Sequence, residues 1–287
     1  MAGFLKKLMK GPDSVIVEDD SKEMSFLDHI EELRWHIIRG GLVVISIAFI
    51  ALFFQDEIFE YIIFAPKKPD FITYRIMCAI SESTCFGPPE LKLITRELGE
   101  QFFVGMSVSM YLGAILAFPY LFYEFWQFIK PGLYENEAKI ASKLIGVTSF
   151  LFLLGICFGY FIIAPFAITY LGNYTVGAEA INSPTLSSYI TYLTMFTVPV
   201  GLAFEMPVVV YFLAKLGIIG PAFMRKFRRE ALLVIFIIAG IITPPDVISQ
   251  ILVGVPMYIL YEVSIIVAKN IEQDRNRKNI TTTNNNA

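Results

Sequence analysis

A chain of 287 residues with 55% hydrophobic side chains, 26 Phe and a mean hydropathy of +0.61 is too apolar for a soluble domain with a polar surface. Lipid must solvate much of it. The net charge of -3 supplies no overall basic field, and no run of Lys or Arg is interleaved with aromatic residues in a polar segment, which argues against nucleic acid as a partner.

The first 20 residues are basic and then acidic, without the apolar stretch that a cleaved signal peptide needs, so the N-terminus is expected to stay in the cytoplasm. Residues 1–35 read as a cytoplasmic tail ending in an amphipathic lead-in, FLDHIEELRWH, where Asp28, Glu31 and Glu32 cluster near Arg34. Six apolar runs follow, at 36–54, 102–128, 144–171, 187–216, 230–243 and 247–269. A helix needs roughly 20 residues to cross the hydrocarbon, whereas the fifth run reaches only about 21 Å. It requires a thinned bilayer or shielding by neighbouring helices. These runs define an all-α polytopic membrane domain over 36–269, and residues 270–287 read as a disordered cytoplasmic tail.

The long segment 55–101 holds Lys67, Lys68, Arg75, Lys92 and Arg96, while the other two loops on that side carry no Lys or Arg. Short loops decide orientation, so both termini are expected inside and 55–101 outside. Cys78 and Cys85 lie in that outer loop, where an oxidising compartment leaves both a disulfide and two separate thiols open. Cys157 lies within the third run.

The second run ends in FPYLFYEFWQFIKPGLYENEAK, whose aromatic residues sit at the depth of an interfacial belt and whose Pro131 and Gly132 end the helix before Glu137. The fourth run contains Glu205, a carboxylate that costs on the order of 3 kcal/mol at the bilayer centre. Pro199 and Pro207 flank it, each removing a backbone donor, so this helix is expected to bend. The last two runs meet in GIITPPDVISQILVGVPMY, a tight outer turn with Thr243 and Gln250 on its two sides.

Covalent chemistry finds no support. The two histidines, His29 and His36, sit at the cytoplasmic mouth of the first run, and neither a nucleophile elbow, an HExxH site nor a phosphate-binding loop occurs. Nothing calls for a cofactor. A proton-coupled small-solute carrier titrating Glu205 is the rival reading, weakened by the lack of an internal repeat relating the two halves.

HIEELR, FWQFIKPGLYENE, FEMP and TPPDVISQ occur in this order and at matching topological positions, and together they resemble the TatC family of the twin-arginine protein translocase. The resemblance implies six helices in a concave, glove-like wall in a bacterial inner membrane, with no enzymatic activity. It implies that Glu32 and Glu137 receive the two arginines of a signal peptide on a folded precursor, with Arg34 and Phe128 in the same patch. It also implies that Glu205 lines the concave face and that Thr243 and Gln250 contact TatA- or TatB-like single-span partners in a multimeric complex driven by the proton-motive force. The chain departs from the family pattern at His36, Ala138 and Ser107, where basic residues are common, and in the length of its first outer loop.

Overall fold

The computed structural model describes residues 26–82, 85–89, 91–129, 141–175, 182–243 and 247–285. Helix α1, Phe26–Phe53, takes in both the lead-in and the first apolar run. No Gly or Pro interrupts residues 26–39, and the Glu, Leu and Arg there favour helix, so the two segments form one rod. The outer segment carries α2 (Gln55–Ile58), a π turn (Phe59–Ile63), a short 3-10 turn (Ala65–Lys67) and α3 (Ile72–Ile80).

Helix α4, Glu100–Ile129, is the second span. The third is α5, Ala141–Phe158, continued through a π turn at Gly159–Ile163 into α6, Ala164–Asn173. The fourth divides into α7, Leu186–Ala203, and α8, Met206–Lys215. After α9, Pro221–Lys226, come α10, Arg228–Ile242, and α11, Val247–Asn285.

Among the described residues, five helical stretches are long and apolar enough to cross a membrane: Ile30–Phe53, Glu100–Ile129, Leu144–Asn173, Leu186–Lys215 and Ser249–Arg277. The remaining apolar helix, α10, has 15 residues and is the short element expected from the fifth run. At 1.5 Å per residue it reaches only about 22 Å. Helix α11 continues past the apolar run to Asn285, through residues read from sequence as a disordered tail. Residues 270–279 contain neither Gly nor Pro, and their Glu, Gln, Lys and Arg let the helix continue past the apolar run.

Lipid gives helices no hydrophobic reason to associate, so they adhere through close van der Waals contact at small residues. A Cβ at Gly113 of α4 would lie 2.8 Å from the Val44 carbonyl of α1, and one at Gly40 of α1 would lie 2.8 Å from Leu121 of α4. The crossing of the third and fourth spans is tighter: a Cβ at Gly159 would stand 2.4 Å from the Phe196 carbonyl, and one at Gly155 only 2.8 Å from Gly201 Cα. The largest buried cluster gathers round this crossing, with Ile163 and Phe196 fully buried.

The loop beyond these helices is bound to them by hydroxyls. The π turn ends at Ile63, and the carbonyls near its end need donors. Tyr189 of α7 donates to Ile63 O at 2.9 Å and Tyr160 to Ile62 O at 2.5 Å, while Tyr74 of α3 donates to Pro66 O at 2.9 Å. Burial pushes the Tyr74 phenol above its ordinary range, so it remains a donor at neutral pH. Thr73 donates to the Phe161 carbonyl. Cys78 and Cys85, which close a ring at the end of α3, are bonded to each other.

Glu100 completes the attachment. Its carboxylate accepts from Ser187 N at 2.9 Å, in the first turn of α7, and from Arg96 N at 2.7 Å. A carboxylate at a helix N-terminus satisfies an orphan donor and complements the helix dipole. Ile94 pairs with Thr185 beside it, and Thr185 caps α7 by accepting from Ser188 N at 3.1 Å.

These contacts predict two outcomes. Gly159→Val forces backbone apart at the central crossing and is expected to destabilise the protein by at least about 1 to 3 kcal/mol, read as a lowered thermal unfolding midpoint in detergent. Tyr189→Phe leaves a buried carbonyl without its donor and is expected to cost about 1 to 3 kcal/mol in the same assay, with the outer loop becoming more sensitive to protease.

Candidate functional site

At its expected cytoplasmic end, the first span meets the second through a buried polar cluster. Glu124 of α4 is 6% exposed. Its Oε1 accepts from Tyr120 OH at 2.5 Å, and its Oε2 accepts from His36 Nδ1 of α1 at 2.5 Å, with Arg39 Nη1 3.9 Å away. The other face of the same imidazole reaches back along α1: His36 Nε2 lies 3.9 Å from Glu32 Oε1, one helical turn earlier. The imidazole also meets the Phe128 ring edge-on, 6.4 Å between centroids, one turn after Glu124 on α4.

Two of the residues singled out from sequence, Glu32 and Phe128, are therefore brought to the two sides of one imidazole. Arg34 is exposed on the same turn of α1. Glu137 lies outside the described residues, as do Pro131 and Gly132. Glu32 Oε2 is buried and has no hydrogen-bond donor among the described residues. Such an oxygen is unusual, because buried polar atoms nearly always find partners.

Trp126 departs from the belt expected for its region. It is 3% exposed, packed on Phe212 of α8 at 4.9 Å between ring centroids, in a cluster with Leu144 and Val208. Its position two residues after Glu124 turns it away from the lipid face and into the contact between the second span and the inner half of the fourth.

Glu205 sits at the expected bend. Helix α7 stops at Ala203 and α8 begins at Met206, with Glu205 as the residue before its first turn. Pro207 has no N–H to continue the ladder, and the Glu205 carbonyl accepts from Val208 N and Val209 N, both at 3.0 Å. Both carboxylate oxygens are buried, and among the described residues neither makes a hydrogen bond of normal geometry, with the Phe152 amide of α5 facing them. Beyond the bend a cavity of about 650 Å³ opens toward the outer half of the wall, lined by Tyr111, Cys157, Tyr160, Thr194 and Thr197, with Asp70 and Lys68 at its rim.

Thr243 and Gln250 hold the last hairpin. Thr243, 3% exposed, donates to Ala239 O at 2.8 Å, and Gln250 Nε2 donates to Phe236 O at 2.9 Å. The turn between them, 244–246, lies outside the described residues. A groove of about 540 Å³ runs beside Thr243, lined by Thr185, Ser187, Ser188, Thr191, Tyr192 and Met195.

The sequence over residues 28–256 matches the family described as Sec-independent protein translocase protein (TatC). The chain belongs to the TatC family. It is 38% identical over 259 residues to the TatC protein of Blattabacterium sp. subsp. Periplaneta americana, covering 88% of this chain and 97% of that relative. It is 34% identical over 247 residues to TatCy of Bacillus subtilis, covering 86% of this chain and 89% of that protein. A crystal structure of a twin-arginine translocase receptor TatC superposes with a TM-score of 0.66 at 32% identity, over 85% of this chain and 99% of the other.

TatC proteins are components of a protein translocase and not enzymes, and the helical architecture described above is that of the family. With apolar helices of this length, the chain is an integral membrane protein. Sequence reasoning did not single out Glu124 or Glu100. The argument applied to Glu205, that a carboxylate inside an apolar run needs a partner, applies equally to Glu124 at 102–128 and was the available signal.

Proposed function

We propose that this TatC-family protein is the signal-peptide receptor and core subunit of a twin-arginine translocase in a bacterial inner membrane, with both termini in the cytoplasm. The observation that carries the reading is Glu32, whose buried Oε2 has no donor among the described residues at the mouth of the first two spans. A guanidinium offers a planar fork of donors matched to a carboxylate, and each charge-assisted bond contributes roughly 1.5 to 3 kcal/mol. An ammonium lacks the fork, so a pair of arginines can be selected over a pair of lysines.

In this reading Glu32 takes one arginine and Glu137 the other, with Arg34 and the Phe128 ring bordering the patch. The apolar part of the peptide then enters the concave face toward Glu205. TatA- and TatB-like single-span subunits dock on the last hairpin at Thr243 and Gln250, where the groove with its Ser and Thr residues offers polar partners to a membrane helix. The short α10 thins the bilayer beside that assembly and lowers the barrier to a folded cargo, with the proton-motive force as the driving energy. Orientation rests on the two short outer loops that carry no Lys or Arg.

The test is binding of a labelled Arg-Arg signal peptide and its Lys-Lys counterpart to the purified protein in lipid nanodiscs. Arg-Arg is expected to bind at least about tenfold more tightly, and Glu32→Ala or Glu137→Ala to remove most of that preference. Equal binding of the two peptides by the wild type would overturn the receptor reading.

A further inference from the structure

The cytoplasmic patch inferred from sequence contains two carboxylates, Glu32 and Glu137, yet the structure places a third, Glu124, one helical turn beneath it. Glu124 is buried, and its oxygens are occupied by Tyr120 and His36. A buried carboxylate so engaged is poorly placed to meet a peptide directly. Its effect passes through the imidazole, whose Nδ1 faces Glu124 and whose Nε2 faces Glu32.

We propose that Glu124 is a positioning residue of the signal site: by holding His36 it keeps the imidazole against the partly exposed Glu32 side chain and so limits where that carboxylate stands when a guanidinium arrives. The proposal rests on the receptor reading above. Three observations support it. The side chain of His36 is only 12% exposed, so the ring has little room to swing. The His36–Phe128 ring contact and the Tyr120 hydroxyl close the remaining directions on the α4 side. On the α1 side the charged neighbours are Glu32 and Arg39; Arg39 Nη1 stands 3.9 Å from Glu124 Oε2, at the edge of ion-pair range, while the imidazole lies within hydrogen-bond distance of the same oxygen.

The physical requirement is ordinary. A glutamate side chain has three rotatable bonds, and restricting it before the ligand arrives removes part of the ordering cost from binding. The Nε2–Oε1 separation of 3.9 Å is longer than a hydrogen bond, so the ring limits the space open to the Glu32 side chain without tying up its oxygens.

The experiment measures Arg-Arg peptide binding to the full chain in nanodiscs for wild type, Glu124→Ala, Glu124→Gln, His36→Leu, Glu32→Ala and the Glu32→Ala/Glu124→Ala double variant. Glu124→Ala and His36→Leu are each expected to weaken binding about tenfold, and Glu124→Gln, which keeps an acceptor for Nδ1–H, to restore affinity to within about threefold of wild type. In the Glu32→Ala background, Glu124→Ala is expected to add nothing, because its effect runs through the residue already removed. Wild-type affinity in both Glu124→Ala and His36→Leu would overturn the proposal. So would a loss in Glu124→Ala that persists in full in the Glu32→Ala background without rescue by Gln, since that pattern belongs to a purely structural role. If Glu124→Ala does not fold, His36→Leu decides by the same criteria. A wild type with no Arg-Arg preference overturns the receptor reading itself, and is told apart from the other failures because it is seen before any variant is made.

Discussion

Hydrocarbon offers no hydrogen bonds, so irregular backbone within or beside it must find its donors inside the protein. The π turn at Phe59–Ile63 is a local excess of backbone that ordinary helix bonding does not absorb, and the phenols of Tyr160 and Tyr189 donate to its carbonyls from the third and fourth spans. Where α8 ends, Gly217 adopts φ 75°, and the amides of Gly217 and Ile218 turn back to the carbonyls of Ala214 and Leu213. This is the glycine-dependent helix stop that leaves no carbonyl stranded at an interface. Even the break at Glu205 is closed by the Glu205 carbonyl accepting two amides.

With backbone polarity satisfied locally, packing decides how the spans assemble. The glycine contacts at 113, 155, 159 and 201 bring helices to backbone distance, and α4 lies between the α1 contact and the α5 contact. Helix α4 is also tied at both ends by its own carboxylates: Glu100 near its start caps α7, and Glu124 near its end holds His36 of α1. A helix of 30 residues spans about 45 Å, so one rod connects the outer loop to the cytoplasmic mouth. A displacement of α1 against α4 at the mouth would have to move the Gly113–Ala48 contact along with it.

Much of this architecture was legible in the sequence because it rests on periodicity and length. Apolar runs, the short α10 and the proline-flanked bend all follow from counts of residues along one chain. What was not legible was pairing between segments far apart in sequence. Glu124 and His36 are 88 residues apart and Glu100 and Ser187 are 87 apart, so neither pair leaves a local pattern. The belt expected around Trp126 failed for a related reason: an aromatic residue near a helix end has the same spacing whether it faces headgroups or a neighbouring helix, and only the presence of Phe212 decides between them. The continuation of α11 past 269 was also not legible, because a polar run composed of good helix formers is compatible with either helix or coil.

The carboxylates divide in a way that bears on function. Those of Glu100 and Glu124 are saturated by donors from the same chain, and both hold helices together. Among the described residues, the buried carboxylate oxygens that lack a hydrogen bond of normal geometry belong to Glu32 and Glu205, the latter with the Phe152 amide of α5 facing it. Burying an acceptor without a partner costs about 1 to 3 kcal/mol, more when it is charged, and a protein of marginal stability keeps such a cost only where something offsets it. A structural explanation would put a donor beside each oxygen, as it does for Glu100. A ligand explanation puts the donor on another molecule, and the two unsatisfied glutamates then mark two points on its path, one at the cytoplasmic mouth and one at the bend in the wall. On the ligand explanation, the saturated pair holds together the helices that carry the unsatisfied pair.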